Sequence, residues 1–181
     1  MGTGPSLTAE PNLVITGFMG TGKSVVGRLV AQRLRRPFVD IDALIEAREG
    51  RSIPEIFAQE GEAYFRRVEA AVVRELAAQR GLVIATGGGA LVPEENRRQM
   101  VQTSVVVCLW ADEATLIERL RGQTDRPLLA HPDWETTLRT LLARRRSAYQ
   151  ALPYHVDTTG KRVEEVAEEV IALYRKSLRE R

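Results

Sequence analysis

Gly17-Phe18-Met19-Gly20-Thr21-Gly22-Lys23-Ser24 fits the template Gly, four residues, Gly-Lys-Ser without a mismatch. A loop of this kind holds phosphates with backbone N–H groups, so glycine is needed where a Cβ would block close approach. The flanks supply the context such a motif requires. Asn12 to Thr16 is a short β-rich apolar run, and Ser24 to Leu34 carries Val26, Leu29, Val30 and Leu34 at helical spacing. Strand, loop, helix is the confirming order, and it sets the phosphates on a helix N-terminus, where free N–H groups and the macrodipole favour negative charge. Lys23 is expected to reach the β- and γ-phosphates, and the Ser24 hydroxyl to ligate Mg²⁺. The chain has 26 Lys+Arg, yet its lysines are Lys23, Lys161 and Lys176 alone. Where generic positive charge suffices it uses arginine, so a lysine inside the loop is a specific choice.

Composition sets the outer bounds. At 181 residues the chain is one domain of ordinary size, able to bury a core without staples. With 44% hydrophobic and 28% charged residues it reads as globular and soluble, and no apolar run approaches the roughly 18 residues of a membrane span. Residues 1–11 are small and polar and read as a disordered leader before a single domain at 12–181. Cys108 is the sole cysteine and lies in the strand-like run Val105 to Trp110, which points to a cytoplasmic protein without disulfides. A net charge of +2, with basic residues spread among acidic ones, argues against a nucleic-acid partner.

Along the chain, Pro37 to Asp42 reads as a strand ending in two alternating carboxylates, Asp40 and Asp42; one of them, Asp42 in particular, could instead simply cap the helix Ala43 to Arg48 that Gly50 closes. Ser52-Ile53-Pro54-Glu55 has capping-box spacing, and a longer helix at Glu62 to Gln79 carries Phe65, Val68, Val72 and Leu76 on one face. The strand Leu82 to Thr86 runs straight into Gly87-Gly88-Gly89, where a ligand can meet bare backbone. Helix, strand (Val105 to Trp110) and helix (Asp112 to Arg121) follow, then a last strand at His155 to Asp157 and a last helix at Val163 to Leu178. This βαβα alternation predicts a parallel sheet covered by helices on both faces, with ligands above the carboxyl ends of its strands.

Residues 122–133 have no periodicity, two prolines and Arg126 at their centre, and read as a mobile lid bringing a cation to a phosphoryl group. Asp133 is read as the cap of the helix Trp134 to Tyr149, which ends in Arg144-Arg145-Arg146. His131 and His155 have no partner at metal-ligand spacing and are read as structural or exposed.

Which triphosphate chemistry is meant depends on the rest. No Asn-Lys-x-Asp guanine-reading tetrad is present, and the chain is too compact for a mechanical ATPase with accessory domains. A second pocket is on offer instead. Asp42, Arg66, Glu69, Gly88, Gly89 and Arg145 would converge beside the loop, partly from the helical segment at about 42–79, making a site for an anionic, hydroxylated small molecule. A small-molecule kinase with a lid is the consistent reading.

The ordered set of motifs resembles the shikimate kinase family: the loop at 17–24, Asp40-Ile41-Asp42, Gly50 to Phe57, Gly61-Glu62 with Phe65-Arg66-Arg67-Val68-Glu69, Ala85 to Gly89, and Arg126-Pro127-Leu128-Leu129. The resemblance implies a P-loop NTPase fold of nucleoside-monophosphate-kinase-like type, with a five-stranded parallel sheet in the order 2-3-1-4-5. It also implies ATP- and Mg²⁺-dependent phosphorylation of the shikimate 3-hydroxyl, on the way to chorismate and the aromatic amino acids, by a cytoplasmic monomer. By resemblance, Ser24 and, through water, Asp40 hold the Mg²⁺, while Lys23 and Arg126 bind phosphates and stabilise the transferring group. Asp42 is the base or orienter, Arg66 and Arg145 grip the carboxylate, Glu69 supports Arg66, and Gly88 and Gly89 offer backbone contacts. Nucleotide contacts are expected from Gly20, Thr21, Gly22, Lys23, Ser24, Val25 and Arg126, with adenine near Arg119 and Lys161 or Arg162. Val25 departs from the family, which often has a hydroxyl there for the α-phosphate. A gluconate or nucleoside monophosphate kinase, or a nucleotide-binding module without catalysis, are the competing readings.

Overall fold

The apolar runs become the strands of one parallel sheet. In the computed structural model, which describes residues 10–123 and 130–181, the elements are β1 (Leu13–Gly17), α1 (Lys23–Leu34), β2 (Phe38–Asp40), α2 (Ile41–Glu49), α3 (Ile53–Glu60), α4 (Glu62–Ala77) and β3 (Val83–Ala85). They continue with α5 (Glu94–Thr103), β4 (Val105–Trp110), α6 (Glu113–Leu120), α7 (Trp134–Gln150), β5 (Tyr154–Asp157) and α8 (Val163–Arg179). The sheet order is β2-β3-β1-β4-β5, and every pairing is parallel. This is the order that the resemblance implied.

Alternation along each strand divides the core between the two faces of the sheet. Val14, Ile84 and Val106 point to one side, where Ile41, Ile56, Phe65, Val72 and Leu116 close over them. Leu13, Ile15, Val83 and Val107 point to the other, against Val30 of α1 and Val170 and Tyr174 of α8. Because β1 pairs with β3 on one side and β4 on the other, the loops after these three strands share one edge. The functional pockets lie there.

Several boundaries depart from expectation for local reasons. Asp42 belongs to no strand: β2 stops at Asp40, whose carboxylate accepts the Ala43 N–H at 3.1 Å and caps α2, so Asp42 sits in the first helical turn. The cap is thus Asp40 and not Asp42, because the strand ends two residues earlier than the alternation suggests. Asp112 caps α6 through the Thr115 N–H at 2.7 Å, whereas the Asp133 side chain makes no cap bond on α7. Residues 10 and 11, expected to lie outside the domain, are part of it. Pro11 is buried and its carbonyl accepts the Tyr174 hydroxyl at 2.7 Å, while Glu10 pairs with the buried Arg36, so the fold begins by residue 10. Residues 1–9 of the leader and residues 124–129 of the lid, Arg126 included, lie outside the described residues.

Candidate active site

The phosphate-binding loop is shaped by contacts that exclude side chains. Gly17 has φ 142°, and a Cβ there would overlap the Leu109 carbonyl oxygen of the neighbouring strand, so both backbone angle and space demand glycine. Inside the loop, Thr21 donates to the Phe18 carbonyl at 2.7 Å, and Lys23 Nζ donates to the carbonyls of Gly17 at 2.8 Å and Phe18 at 3.1 Å. Ser24 donates to Asp40 Oδ2 at 2.7 Å. A hydroxyl beside a carboxylate is a donor set suited to a hard cation. Among the described residues no three acidic, His or Cys side chains cluster as metal ligands, so a cation at Ser24 and Asp40 would complete its shell with phosphate oxygens and water, the habit of Mg²⁺.

A groove of about 460 Å³ runs outward over Gly20, Gly22, Lys23, Ser24, Val25 and Arg119. Arg119 donates to the Gly20 carbonyl at 3.1 Å and to both the hydroxyl and the carbonyl of Thr158 at 2.9 Å. The Lys161 N–H donates to that same Thr158 carbonyl at 3.1 Å, which brings the turn at 158–161 beside Arg119. The Lys161 ammonium itself pairs with Glu169 at 2.8 Å, and Arg162 pairs with Glu165 at 2.9 Å.

The second pocket, of about 300 Å³, is lined by Lys23, Ser24, Asp40, Asp42, Phe57, Arg66, Glu69, the three glycines and Arg145. Each glycine faces one functional side chain. A methyl group at Gly87 would sit 2.6 Å from Asp42 Oδ1, at Gly88 2.9 Å from Arg145 Nη1, and at Gly89 2.7 Å from Arg66 Nη1. Any larger residue would displace one of the three. The turn is anchored by the buried Thr86, whose hydroxyl donates to Thr16 Oγ1 at 2.7 Å and whose N–H donates to the Ile15 carbonyl. Glu69 is 1% exposed and accepts from Arg66 Nη1 at 2.8 Å; burial pushes its carboxyl up, while Arg66 and Arg145 pull it down. Asp42 accepts no hydrogen bond among the described residues. Burial, with Asp40 and Glu69 nearby, raises it from 3.8 to about 6 against the pull of Lys23.

Of the arginine triplet, Arg145 alone lines this pocket. Arg144 lies with Thr136, Thr137, Thr140 and Leu141, and Arg146 with Trp110 and Gln150. Each arginine lies within one helical turn of the others, yet the three face different surroundings.

A site of this make-up can be compared with known proteins. The family model described as shikimate kinase matches residues 19–175. The chain belongs to the shikimate kinase family. A shikimate kinase of Symbiobacterium thermophilum is 48% identical over 163 residues, 88% of this chain and 94% of that one, and one of Thermus thermophilus is 44% identical, covering 88% and 87%. The solved shikimate kinase of Acinetobacter baumannii, in complex with shikimate, superposes with TM-score 0.87 at 36% identity over 93% of this chain and 95% of that one. Within this shikimate kinase fold, most of the expected site residues that the structure describes line one or other of the two pockets; Thr21 and Lys161 line neither. The sequence reading missed the closeness of Gly87 to Asp42 and the pairing of Thr16 with Thr86. The glycine run hinted at the first; nothing in either threonine's local pattern marks the second.

Proposed function

We propose that the two pockets carry out the reaction of the chain's family in a single step, with ATP along the groove over Gly20 to Ser24 and shikimate in the glycine-lined pocket. The supporting observation is that the two pockets meet at Lys23 and Ser24, which line both. A phosphoryl group at that junction is within reach of a hydroxyl held by Asp42. The 3-hydroxyl oxygen forms a bond to the γ-phosphorus as the bond to the β-γ bridging oxygen breaks, giving shikimate 3-phosphate and ADP.

Arg66 and Arg145, set against Gly89 and Gly88, grip the shikimate carboxylate in charge-assisted bonds. Glu69, buried and paired with Arg66, keeps that guanidinium extended across the pocket. Asp42 orients the acceptor hydroxyl and takes its proton; a carboxyl titrating near 6 is ionised at neutral pH yet more basic than usual. Lys23 leaves the loop carbonyls for the phosphates and neutralises charge as it develops on the transferring group. Ser24 and Asp40 would hold Mg²⁺, which neutralises phosphate charge when bound. Arg126 is assigned to the phosphates, and Arg119 with the turn at Lys161 to the adenine. The reading takes the enzyme as a cytoplasmic monomer acting on small molecules only.

The test is ADP release from ATP and Mg²⁺ with shikimate, gluconate, nucleoside monophosphates or no acceptor in parallel. Release with shikimate alone is expected. Release with another acceptor would keep the kinase and discard the carboxylate clamp, and no release with any would leave a binding module.

A further inference from the structure

The anion clamp has a feature that none of its own residues explains. Gly88 and Gly89 make no backbone N–H hydrogen bond among the described residues, yet the Gly88 carbonyl does accept one: Tyr149 donates to it at 2.6 Å, across 61 residues of chain. Tyr149 lies one helical turn beyond Arg145 on α7 and is 8% exposed, with its hydroxyl beside the Arg145 guanidinium. Its ring forms part of the wall of a separate, largely apolar cavity of about 500 Å³ with Phe18, Cys108 and Leu142. The Tyr149 backbone carbonyl in turn meets His155 Nε2 at 2.8 Å, which ties this end of α7 to β5.

A trans peptide is planar, with its C=O and N–H on opposite sides. The unit between Gly88 and Gly89 therefore directs its N–H away from whatever holds its carbonyl. Resting on the reading of the pocket given above, we propose that Tyr149 is a positioning residue for the acceptor: by holding the Gly88 carbonyl on the far side, its hydroxyl aims the Gly89 N–H into the shikimate pocket and locks Arg145 against the glycine turn. Glycine at both positions makes such a restraint necessary, because nothing in their own side chains limits the rotation of that peptide. Burial pushes the Tyr149 hydroxyl up to about 12 against the pull of Arg145 beside it, so it stays a donor throughout the working range.

Tyr149→Phe removes the hydroxyl and keeps the ring. The KM for shikimate is expected to rise about fivefold, the scale of one hydrogen bond, with kcat and the KM for ATP within about twofold. With shikimate methyl ester, which lacks the anion, the variant and the parent should agree within about twofold. A purely structural tyrosine would instead lower the melting temperature without changing the shikimate KM, and that result would overturn the proposal. So would an equal effect on the ester. Arg145→Ala separates the two levels: if it raises the shikimate KM while Tyr149→Phe does not, the positioning role alone is wrong, and if neither does, the clamp itself has been misread.

Discussion

The two halves of the site are prepared to different degrees. In the acceptor pocket Arg66 is already paired with Glu69, and Arg145 and Asp42 are packed closely against Gly88 and Gly87. In the nucleotide groove the cations are occupied elsewhere. Lys23 donates to loop carbonyls, Arg119 to Gly20 and Thr158, and Lys161 to Glu169. The difference follows from burial. A carboxylate as enclosed as Glu69 must be paired whether or not ligand is bound, whereas cations at an open groove rest on whichever acceptors are near until a polyphosphate offers stronger ones. Preorganisation therefore lies on the acceptor side, and the nucleotide side should be the one that rearranges.

The largest effect should come where the halves meet. Lys23→Ala is expected to lower kcat by at least about a hundredfold with the fold intact by circular dichroism, because the charge it neutralises develops only in the transition state. Near-normal turnover would remove Lys23 from the mechanism and show that the junction of the two pockets is not where transfer occurs. On the acceptor side, Arg145→Ala should raise the shikimate KM roughly thirtyfold, the scale of a charge-assisted hydrogen bond, with the ATP KM within about twofold. Arg144→Ala and Arg146→Ala should change neither by more than about twofold. Should Arg146→Ala give the larger change, the clamp would belong to the neighbouring apolar cavity and the contrast would fail.

Asp42 tests preorganisation through pH. With its carboxyl near 6 in the folded protein, kcat/KM for shikimate should fall about tenfold per unit below that value. The residual activity of Asp42→Asn should lack this limb. The same shift acts on stability. Between 3.8 and about 6 the folded protein retains a proton that the unfolded chain has lost, so the contribution of Asp42 to stability decreases as pH rises through that window. Asp42→Asn should therefore stabilise the protein by about 1–2 kcal/mol at pH 7, below the full shift because the group keeps some solvent, and by nothing measurable at pH 4. Equal melting temperatures at both pH values would mean that the pocket does not strain this carboxylate.

Elements and local chemistry were readable where the pattern is short-range. The phosphate loop, the existence and order of the five strands and the capping box at Ser52 and Glu55 agree with the described structure, and Arg145 is the arginine of its triplet that lines the glycine-lined pocket. What could not be read depends on distance along the chain. Pro11 belongs to the fold because Tyr174, 163 residues away, holds its carbonyl, and nothing in a small, polar stretch announces that. The role of Asp40 as a cap and of Asp42 as a helical residue turned on where β2 stops. That point is set by pairing with β3 at Asp40 and Ala85 rather than by the alternation Val39, Asp40, Ile41, Asp42.

The smallest expected effect bears on the less prepared half. Val25 is 56% exposed and lines the groove beside Ser24, where it offers the nucleotide a backbone N–H and no hydroxyl. Val25→Thr adds one donor in nearly the same volume, with a similar helix preference. Its net value is that of a single hydrogen bond at a partly solvated site. The ATP KM should then fall by about two- to threefold, with kcat and the shikimate KM unchanged. A fall in the shikimate KM as well would show that ordering the groove also orders the acceptor pocket, and the two halves would have to be treated as one cooperative site. No change in either would mean that the N–H already serves the α-phosphate fully, leaving the rearrangement of Lys23 as the principal adjustment on the nucleotide side.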